Sequence, residues 1–342
     1  MIRRSYLLAL CLAIFALQLS RAQAPTAPLS IVLPPRLLAN APATLAILGP
    51  DGHLAAGVAV DIGNGEHVTT DATGRASFTA PPDGALIASA QGLSAASLVD
   101  AALPSTSAGL TIAPNVSQHD RFAICGGRFS GDVSADSVTI NGDAAFVLAV
   151  SPVCAMILPQ TRTLAGPARV DIDSAGTHAA GATALVALDF LPPNPPLLPG
   201  RKGKLIVRAE GTSDSLEIAV ENHSSHVIHF VRGELQELRT SGGARNQAVV
   251  EVQAIRSGDF SFRARILSPP DTAAAARYLE IAEGAASKSA NRLGREIQAI
   301  AAQLSRHPRE PAKSRAAIER LANATPSGSL RALLDAAAQS LE

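Results

Sequence analysis

Between residues 29 and 268 the hydrophobic residues occur in short runs, many of which alternate with polar residues. Residues 43–48, 58–62 and 75–79 are examples, and glycine, proline, asparagine and aspartate cluster between such runs. A period of two places alternate side chains on opposite faces of a strand. Short strands at this spacing are typical of β-sandwiches. We therefore predict a mainly β protein with tandem immunoglobulin-like sandwiches.

Composition divides the strand-rich region into three units. We place the first sandwich at residues 23–104 and the second at residues 105–189. Residues 190–203 are rich in proline and are predicted to form an extended, semi-rigid linker. A third sandwich is predicted for residues 204–268.

The period changes in the C-terminal tail, residues 269–342. Asp271 follows two prolines and is suited to cap a helix. Hydrophobic residues then recur at helical spacing, at Leu279, Ala282, Ala286, Leu293, Ile297, Ile300 and Leu304. Pro308 and Pro311 interrupt the pattern, and further helical stretches follow. The tail is predicted to be an alanine-rich helical hairpin or small bundle.

One stripe of this tail, Leu293, Ile297, Ile300 and Leu304, has two interpretations. It packs on the tail itself or on the third sandwich, or it serves oligomerisation or docking to another protein. The stripe is too short and too rich in alanine to predict a coiled coil.

The first 22 residues have the pattern of a secretory signal peptide. Arg3 and Arg4 precede an apolar run over residues 6–19, and small residues suit cleavage after Ala22. The run is shorter than the ~20 residues that span a bilayer. Export is therefore expected, and the alternative is an uncleaved leader that anchors the protein in a membrane.

Charge and aromatic content limit the classes of partner that we expect for this protein. Removal of the leader leaves 26 basic and 29 acidic side chains, a net charge of about −3. Nucleic-acid binding needs a basic surface, so nucleic acid is not expected as a partner. Tryptophan is absent and Tyr278 is the only tyrosine after the leader. Carbohydrate-binding surfaces usually rely on aromatic rings, so this composition does not favour one.

Cys125 and Cys154 remain after the leader. In an oxidising compartment such a pair is expected to form a disulfide. The alternative is two buried thiols that pack as small apolar residues.

Two segments resemble known immunoglobulin-like families. Residues 68–78, VTTDATGRASF, resemble the hairpin of the bacterial Ig-like repeats found in invasin-type surface proteins. Residues 124–129 (ICGGRF) and 138–142 (VTING), then Ser151-Pro152 and residues 166–172 (GPARVDI), resemble the IPT/TIG domain. Both resemblances imply an immunoglobulin-like sandwich in a bacterial surface or secreted protein.

Two clusters of polar residues invite a metal interpretation. His223, His226 and His229 lie within seven residues, but a spacing of three on a strand puts neighbours on opposite faces. The acidic residues are not spaced as in a calcium-binding loop; they are Asp132, Asp136, Asp143, Asp171 and Asp173. We therefore expect solvated histidines, surface acids, and neither metal nor cofactor.

The sequence contains no G-x-S-x-G, H-E-x-x-H, phosphate-binding or dinucleotide-binding motif. We therefore predict a non-catalytic, exported scaffold, adhesion or interaction protein that binds a protein or cell-surface component. A cell-envelope assembly subunit that docks through its tail is the second hypothesis. A sandwich accessory region of an enzyme system is the third.

Overall fold

The computed structural model describes residues 29–63, 65–103, 109–126, 128–174, 176–194, 196–287 and 291–342. The predicted leader, residues 1–22, lies outside the described residues. Among the described residues, no helix is long and apolar enough to cross a membrane.

The first sandwich consists of short strands. They are β1 Ser30–Val32, β2 Arg36–Leu38, β3 Pro42–Leu48, β4 Ala59–Asp61, β5 His67–Thr69, β6 Arg75–Thr79, β7 Ala85–Ala90 and β8 Leu93–Asp100. Strands β1, β3 and β6 share one sheet, and the other runs β2-β8-β7-β4-β5. Leu45 and Ile47 of β3 are fully buried between the sheets. In β6, the buried residues Ala76 and Phe78 alternate with less buried ones, as the period of two predicts.

The second sandwich repeats this plan. Its strands are β9 Thr111–Ile112, β10 Asn115–Ser117, β11 Phe122–Cys125, β12 Asp136–Ile140, β13 Asp143–Ala144, β14 Phe146–Val150, β15 Cys154–Leu158, β16 Gly166–Ser174 and β17 Thr177–Leu191. One sheet contains β9-β11-β15-β14 and the other contains β10-β17-β16-β12-β13. The order β9-β11-β15-β14 against β12-β16-β17 matches the ABED and CFG sheets of the immunoglobulin fold. In both sandwiches the second strand pairs in parallel with the last strand.

The third sandwich shares a strand with the second. Its own strands are β18 Lys202–Glu210, β19 Glu217–Asn222, β20 Ile228–Phe230, β21 Leu235–Arg239, β22 Gln247–Ala254 and β23 Phe262–Ile266. The end of β17 pairs with β18, and the sheet continues through β22 to β20. The opposing small sheet is β21-β19-β23. Short 3-10 turns occur at Val133–Ala135 and Gly243–Arg245.

The shared strand changes the interpretation of the proline-rich segment. Leu185 of β17 packs into the second core, whereas the next residue, Val186, packs into the third. The chain beyond β17 reverses, so that Leu191 pairs with Ile206 and Ala187 with Glu210. The segment between β17 and β18 is therefore a connection between paired strands. Residues 190–191 and 202–203 of the predicted linker belong to β17 and β18.

The first two sandwiches are joined by strand pairing and by side-chain hydrogen bonds. Val150 of β14 pairs with Thr44 of β3, which joins their sheets. The Thr44 hydroxyl donates to the Gly131 carbonyl at 2.8 Å, and the Ser151 hydroxyl donates to the Arg36 carbonyl at 2.6 Å. A small apolar cluster beside these bonds excludes water; its buried members are Val32, Ala46, Leu148 and Ala149.

Four helices among the described residues form the tail. They are α1 Thr272–Ser287, α2 Asn291–Arg306, α3 Pro311–Ala324 and α4 Ser329–Gln339. The Ala274 amide donates to the Asp271 carboxylate at 2.8 Å, which confirms the predicted cap. Gly328 stands at the N-cap of α4. The predicted fold class, tandem β-sandwiches followed by a small helical bundle, is confirmed.

The tail packs on the first sandwich, a neighbour that the sequence did not predict. Leu98 of β8 is buried among the tail helices, and Ile87 and Ala96 pack against the same cluster. Ion pairs also join the tail to the small sheet of the third sandwich, between Arg265 and Glu342 and between Arg315 and Glu237. The tail thus contacts both the first and the third sandwich, and the four units surround a common space.

Candidate functional site

A groove of about 1160 Å³ lies where the three sandwiches and the tail meet; we call it the central groove. It is larger than the roughly 300–1,000 Å³ of small-molecule pockets. Every unit contributes to its lining. The first sandwich provides residues 35–36, 98 and 100–102, and the second provides residues 111–117, 120–123, 125–126, 153 and 156. The third provides residues 263, 265–266 and 268–269, and the tail provides residues 271, 274, 278, 339 and 340.

One end of the central groove is held by an ion cluster between the first sandwich and the tail. Asp100, at the end of β8, accepts from Arg36 of β2 at 2.9 Å and from Arg277 of α1 at 2.7 Å. Arg277 also donates to the Val99 carbonyl at 2.6 Å. Since the Asp100 side chain is only 15% exposed, this pairing orients both guanidinium groups.

Guanidinium groups also line the wall formed by the second and third sandwiches. Arg263 of β23 pairs with Asp120 at 3.2 Å, and Arg265 pairs with Glu342 at 2.7 Å. Hydrogen bonding to Glu342 raises the pKa of the Arg265 guanidinium, and burial acts in the opposite direction. These arginines are therefore balanced by carboxylates of the protein.

Arg121, beside them, has no such partner. It donates to the Ser30 hydroxyl at 3.2 Å, and among the described residues no carboxylate lies within 4 Å of its guanidinium group. Desolvation lowers the pKa of Arg121, Asp120 acts in the opposite direction, and the charge of Arg263 lowers it further. Arginine stays protonated in proteins. Arg121 therefore presents a positive charge that a carboxylate would stabilise.

Tyr278 of α1 reaches the central groove from the tail. Its ring is buried, and its hydroxyl donates to the Ala96 carbonyl of β8 at 3.3 Å. Burial raises the pKa of Tyr278 to about 12. The phenol is therefore neutral at physiological pH and holds the tail on the first sandwich.

We expect alkaline pH to weaken this contact. Unfolded tyrosine ionises near pH 10, whereas Tyr278 stays neutral up to about pH 12 when the protein is folded. The free energy of unfolding should therefore fall by up to about 2–3 kcal/mol between these values. Denaturation midpoints of the leaderless protein at several pH values would measure this loss of stability. The Tyr278→Phe variant cannot ionise at this position, so it should not show the loss. Equal losses in both proteins would contradict the assignment.

The predicted disulfide is present. Cys125 of β11 lies directly opposite Cys154 of β15, and the two form a disulfide in the wall of the central groove. Antibody domains join their two sheets through strands B and F. Here the bond joins neighbouring strands of one sheet, so it fixes the register of β11 on β15.

Loss of this disulfide should destabilise the protein by about 3–4 kcal/mol on the chain-entropy estimate. Reductant should lower the denaturation midpoint of the native protein and leave the C125A/C154A variant unchanged. The variant supplies the control for effects of reductant elsewhere. A native midpoint that does not respond to reductant would contradict the prediction.

The docking stripe lies inside the tail. Ile297, Ile300 and Leu304 are buried in the helical core, and Leu293 packs against it. These side chains stabilise the tail and its contact with the first sandwich. They are not presented to another protein in this structure.

The structure does not bring the three histidines together. His223 lies 3.6 Å from Glu221, His229 contacts Glu234, and His226 is exposed. Within the described ranges, no group of three or more histidine, cysteine, aspartate or glutamate residues is arranged to hold a metal ion.

The acidic residues of the second sandwich have separate structural contacts. Asp132 accepts from the Ser134 amide, Asp143 pairs with Arg162, and Asp171 with Arg169. Asp173 contacts His178. Asp136 departs from the expected surface acid, because it is only 7% exposed. Its carboxylate accepts from Ser130 and Ser174 and thereby joins the loop before β12 to β16.

Comparison with known proteins adds no family. No protein-family model matches the sequence, and no curated relative matches it. Among solved structures, the plexin A4 extracellular region is 12% identical over 71% of this chain and 23% of its own, with a TM-score of 0.26. SGBP-B of the Bacteroides ovatus mixed-linkage glucan utilization locus is 10% identical over 69% of this chain and 60% of its own (TM-score 0.20).

The N-terminal four Ig domains of Dscam1 are 9% identical over 72% of this chain and 73% of their own, with a TM-score of 0.21. Scores this low do not establish a common overall arrangement. The strand order described above therefore defines the class: this is a multidomain immunoglobulin-like β-sandwich protein with a groove between its domains.

Proposed function

We propose that this protein is a non-catalytic, exported interaction module that holds a segment of its partner in the central groove. The observation that carries the proposal is that all four units contribute to one groove, which is larger than a small-molecule pocket. Polar side chains fixed by ion pairs stand there beside apolar ones such as Ile112 and Met156. This mixture suits a polypeptide.

The leader pattern and the disulfide support export. Disulfides persist in oxidising compartments such as the bacterial periplasm or the cell surface. The residue patterns of IPT/TIG and invasin-type domains support a bacterial surface or secreted protein, and we propose these as the relatives of the second and first sandwiches. The strand order of the second sandwich fits this proposal.

We propose that the protein is not catalytic because of the side chains that line the central groove. Its ionisable side chains are mostly engaged in ion pairs, as with Asp100, Asp120 and Arg265. Neither histidine nor a free thiol lines it, within the residues that the structure describes. Such a lining can orient and bind a partner, but it offers no pairing of nucleophile and base.

In this proposal the tail forms one wall of the central groove. Its stripe is engaged inside the bundle, so we do not assign the stripe to docking. The tail instead shapes the central groove through Tyr278 and Asp271.

Site-specific cross-linking tests the proposal. Benzoylphenylalanine would replace Ser268, an exposed residue of the groove, and in a control protein Phe146, which is 53% exposed and lies outside the groove. After illumination in cells of the native host, we expect the Ser268 position to capture one partner through one short segment. Capture of the same products from both positions, or of no polypeptide at Ser268, would contradict it.

A further inference from the structure

Three loops lie side by side at one end of the third sandwich, and together we call them the distal tip. They are residues 196–201 before β18, residues 223–227 between β19 and β20, and residues 255–261 between β22 and β23. The Gly200 amide donates to the Ala254 carbonyl at 2.8 Å, and the Ile255 amide donates to the Val227 carbonyl at 2.8 Å. These hydrogen bonds fix the loops relative to one another.

The distal tip is the free end of the third sandwich. At the opposite end, Gly211 packs against the Leu185 backbone of the second sandwich. The tail reaches the small sheet at Glu237 and Arg265. Within the part of the chain that the structure describes, the hydrogen bonds of the distal tip are all to residues of the third sandwich, and no residue of the tip lines the central groove.

Large apolar side chains project from the distal tip. Leu198 is 68% exposed, Ile255 is 50% exposed and Phe260 is 51% exposed. The described residues include nine exposed side chains of this kind, so a third of them are concentrated on these loops. The ring of Phe260 lies 5.1 Å from that of Phe262, which in turn lies 5.2 Å from the buried ring of Phe230. Phe260 therefore extends an aromatic row of the core out into solvent.

Cationic side chains stand next to these apolar groups in the chain. Arg201 and Arg256 are exposed, and in the described ranges no carboxylate lies within 4 Å of either guanidinium group. Lys202, beside Arg201, is exposed as well. The one acidic residue in the sequence of the three loops is Asp259. The tip is thus both apolar and positively charged, and unpaired guanidinium groups are well suited to bind phosphate.

This combination fits the surface of an anionic lipid bilayer. All of residues 255–261 are exposed, so the distal tip projects outward and forms no pocket around a ligand. Apolar side chains on such a projection can enter the boundary between headgroups and acyl chains, and neighbouring cations are attracted to anionic lipids. A polypeptide segment is better held in a concave surface, which the central groove provides.

We infer that the distal tip attaches the protein peripherally to an anionic bilayer. Leu198, Ile255 and Phe260 insert among the lipids, and Arg201 and Arg256 bind their phosphate groups. This attachment does not need the leader. It goes beyond the function proposed for the central groove, and it leaves the groove accessible because the two surfaces share no residue.

Flotation of the leaderless protein with lipid vesicles tests the attachment. One set of vesicles contains phosphatidylcholine with phosphatidylglycerol, and the other contains phosphatidylcholine alone. We expect the protein to bind the anionic vesicles, and to bind the neutral ones at least about tenfold more weakly. High salt should weaken the binding to anionic vesicles, because it screens the charges. No binding to anionic vesicles, or equal binding to both sets, would overturn the inference.

Variants assign the binding to the distal tip. Phe260→Ser should weaken binding to anionic vesicles at least about tenfold, because the ring no longer enters the bilayer. Phe146→Ser is the matched control, since Phe146 is 53% exposed and lies on β14 of the second sandwich. Thermal unfolding of both variants shows whether the fold is kept. Binding of a folded Phe260→Ser protein at the native level would contradict the assignment.

The contribution of charge is measured in the same way. Arg256→Gln should weaken binding to anionic vesicles about fivefold and leave the weak binding to neutral vesicles unchanged. Arg309→Gln removes an exposed arginine from the turn between α2 and α3 and should bind as the native protein does. A larger loss for Arg309→Gln than for Arg256→Gln would assign the lipid contact to the tail and overturn the inference.

Fluorescence reports insertion directly. The protein contains no tryptophan, so Phe260→Trp introduces a single reporter. With anionic vesicles its emission should shift to shorter wavelength and should be quenched by lipids with brominated acyl chains, and Phe146→Trp should show neither effect. A shift that depends on protein concentration in the absence of vesicles would assign the tip to a second copy and overturn the inference. Cross-linking from Ser268 reports only on the central groove, so either proposal can fail without the other.

Discussion

Replacing Gly211 by alanine is expected to destabilise the protein by about 3–5 kcal/mol. Gly211 follows β18 with φ of +97°, in the region that favours glycine. An added Cβ would lie 2.2 Å from the Leu185 carbonyl oxygen and 2.7 Å from the Gly166 nitrogen. Both are backbone atoms of the paired strands β16 and β17, so neither can move alone. Because β17 serves two cores, the strain would reach both sandwiches.

Gly200→Ala provides the matched control. Gly200 also has a positive φ, +80°, but a Cβ there would meet no atom within 4 Å. This variant should lose about 1–2 kcal/mol of stability, because only the positive φ is unfavourable for alanine there. Urea denaturation of both variants measures the difference. Equal losses of stability in the two variants would show that the close backbone contacts at Gly211 do not contribute to the effect.

Leu98→Asp is expected to release the helical tail. Leu98 is 1% exposed and lies between β8 and the tail helices. A carboxylate at this position would be buried without a partner, which destabilises by more than about 4 kcal/mol. Release of the tail hydrates the charge, so we expect the tail to detach while the sandwiches keep their own cores. Limited proteolysis should then remove α1 to α4 from the variant and spare them in the native protein.

The control for this variant is Leu103→Asp, since Leu103 is 41% exposed. It introduces the same charge near the end of the first sandwich and should leave the tail protected. The same protease pattern for Leu98→Asp and the native protein would contradict the role given to the contact between the tail and the first sandwich.

The architecture could largely be predicted from local patterns, and the groove could not. Alternation in segments such as residues 75–79 reports which side chains enter a core, because a strand directs successive residues to opposite faces. The disulfide was predictable because Cys125 and Cys154 are the two cysteines left after the leader. Each of these inferences needs only near neighbours or a count of residues.

The central groove depends on contacts between distant residues. Arg36 is 64 residues from Asp100, and Arg277 is 177 residues from it, and no local pattern relates them. At the proline-rich segment, composition predicts an extended backbone, but it carries no information on the pairing of the strands at its two ends. The shared strand was hidden for a similar reason: Leu185 and Val186 are both apolar, although they enter different cores.

The return of the tail to the first sandwich has a consequence for how the chain folds as it is made. The Val99 carbonyl and its partner Arg277 are separated by 178 residues. At roughly 5–20 residues per second, ribosomes need about 10–35 s to make that stretch. During this interval the face formed by Ile87, Ala96 and Leu98 has no cover. A first sandwich that forms before the tail reaches it therefore exposes an apolar face, and association through that face competes with folding until the tail covers it.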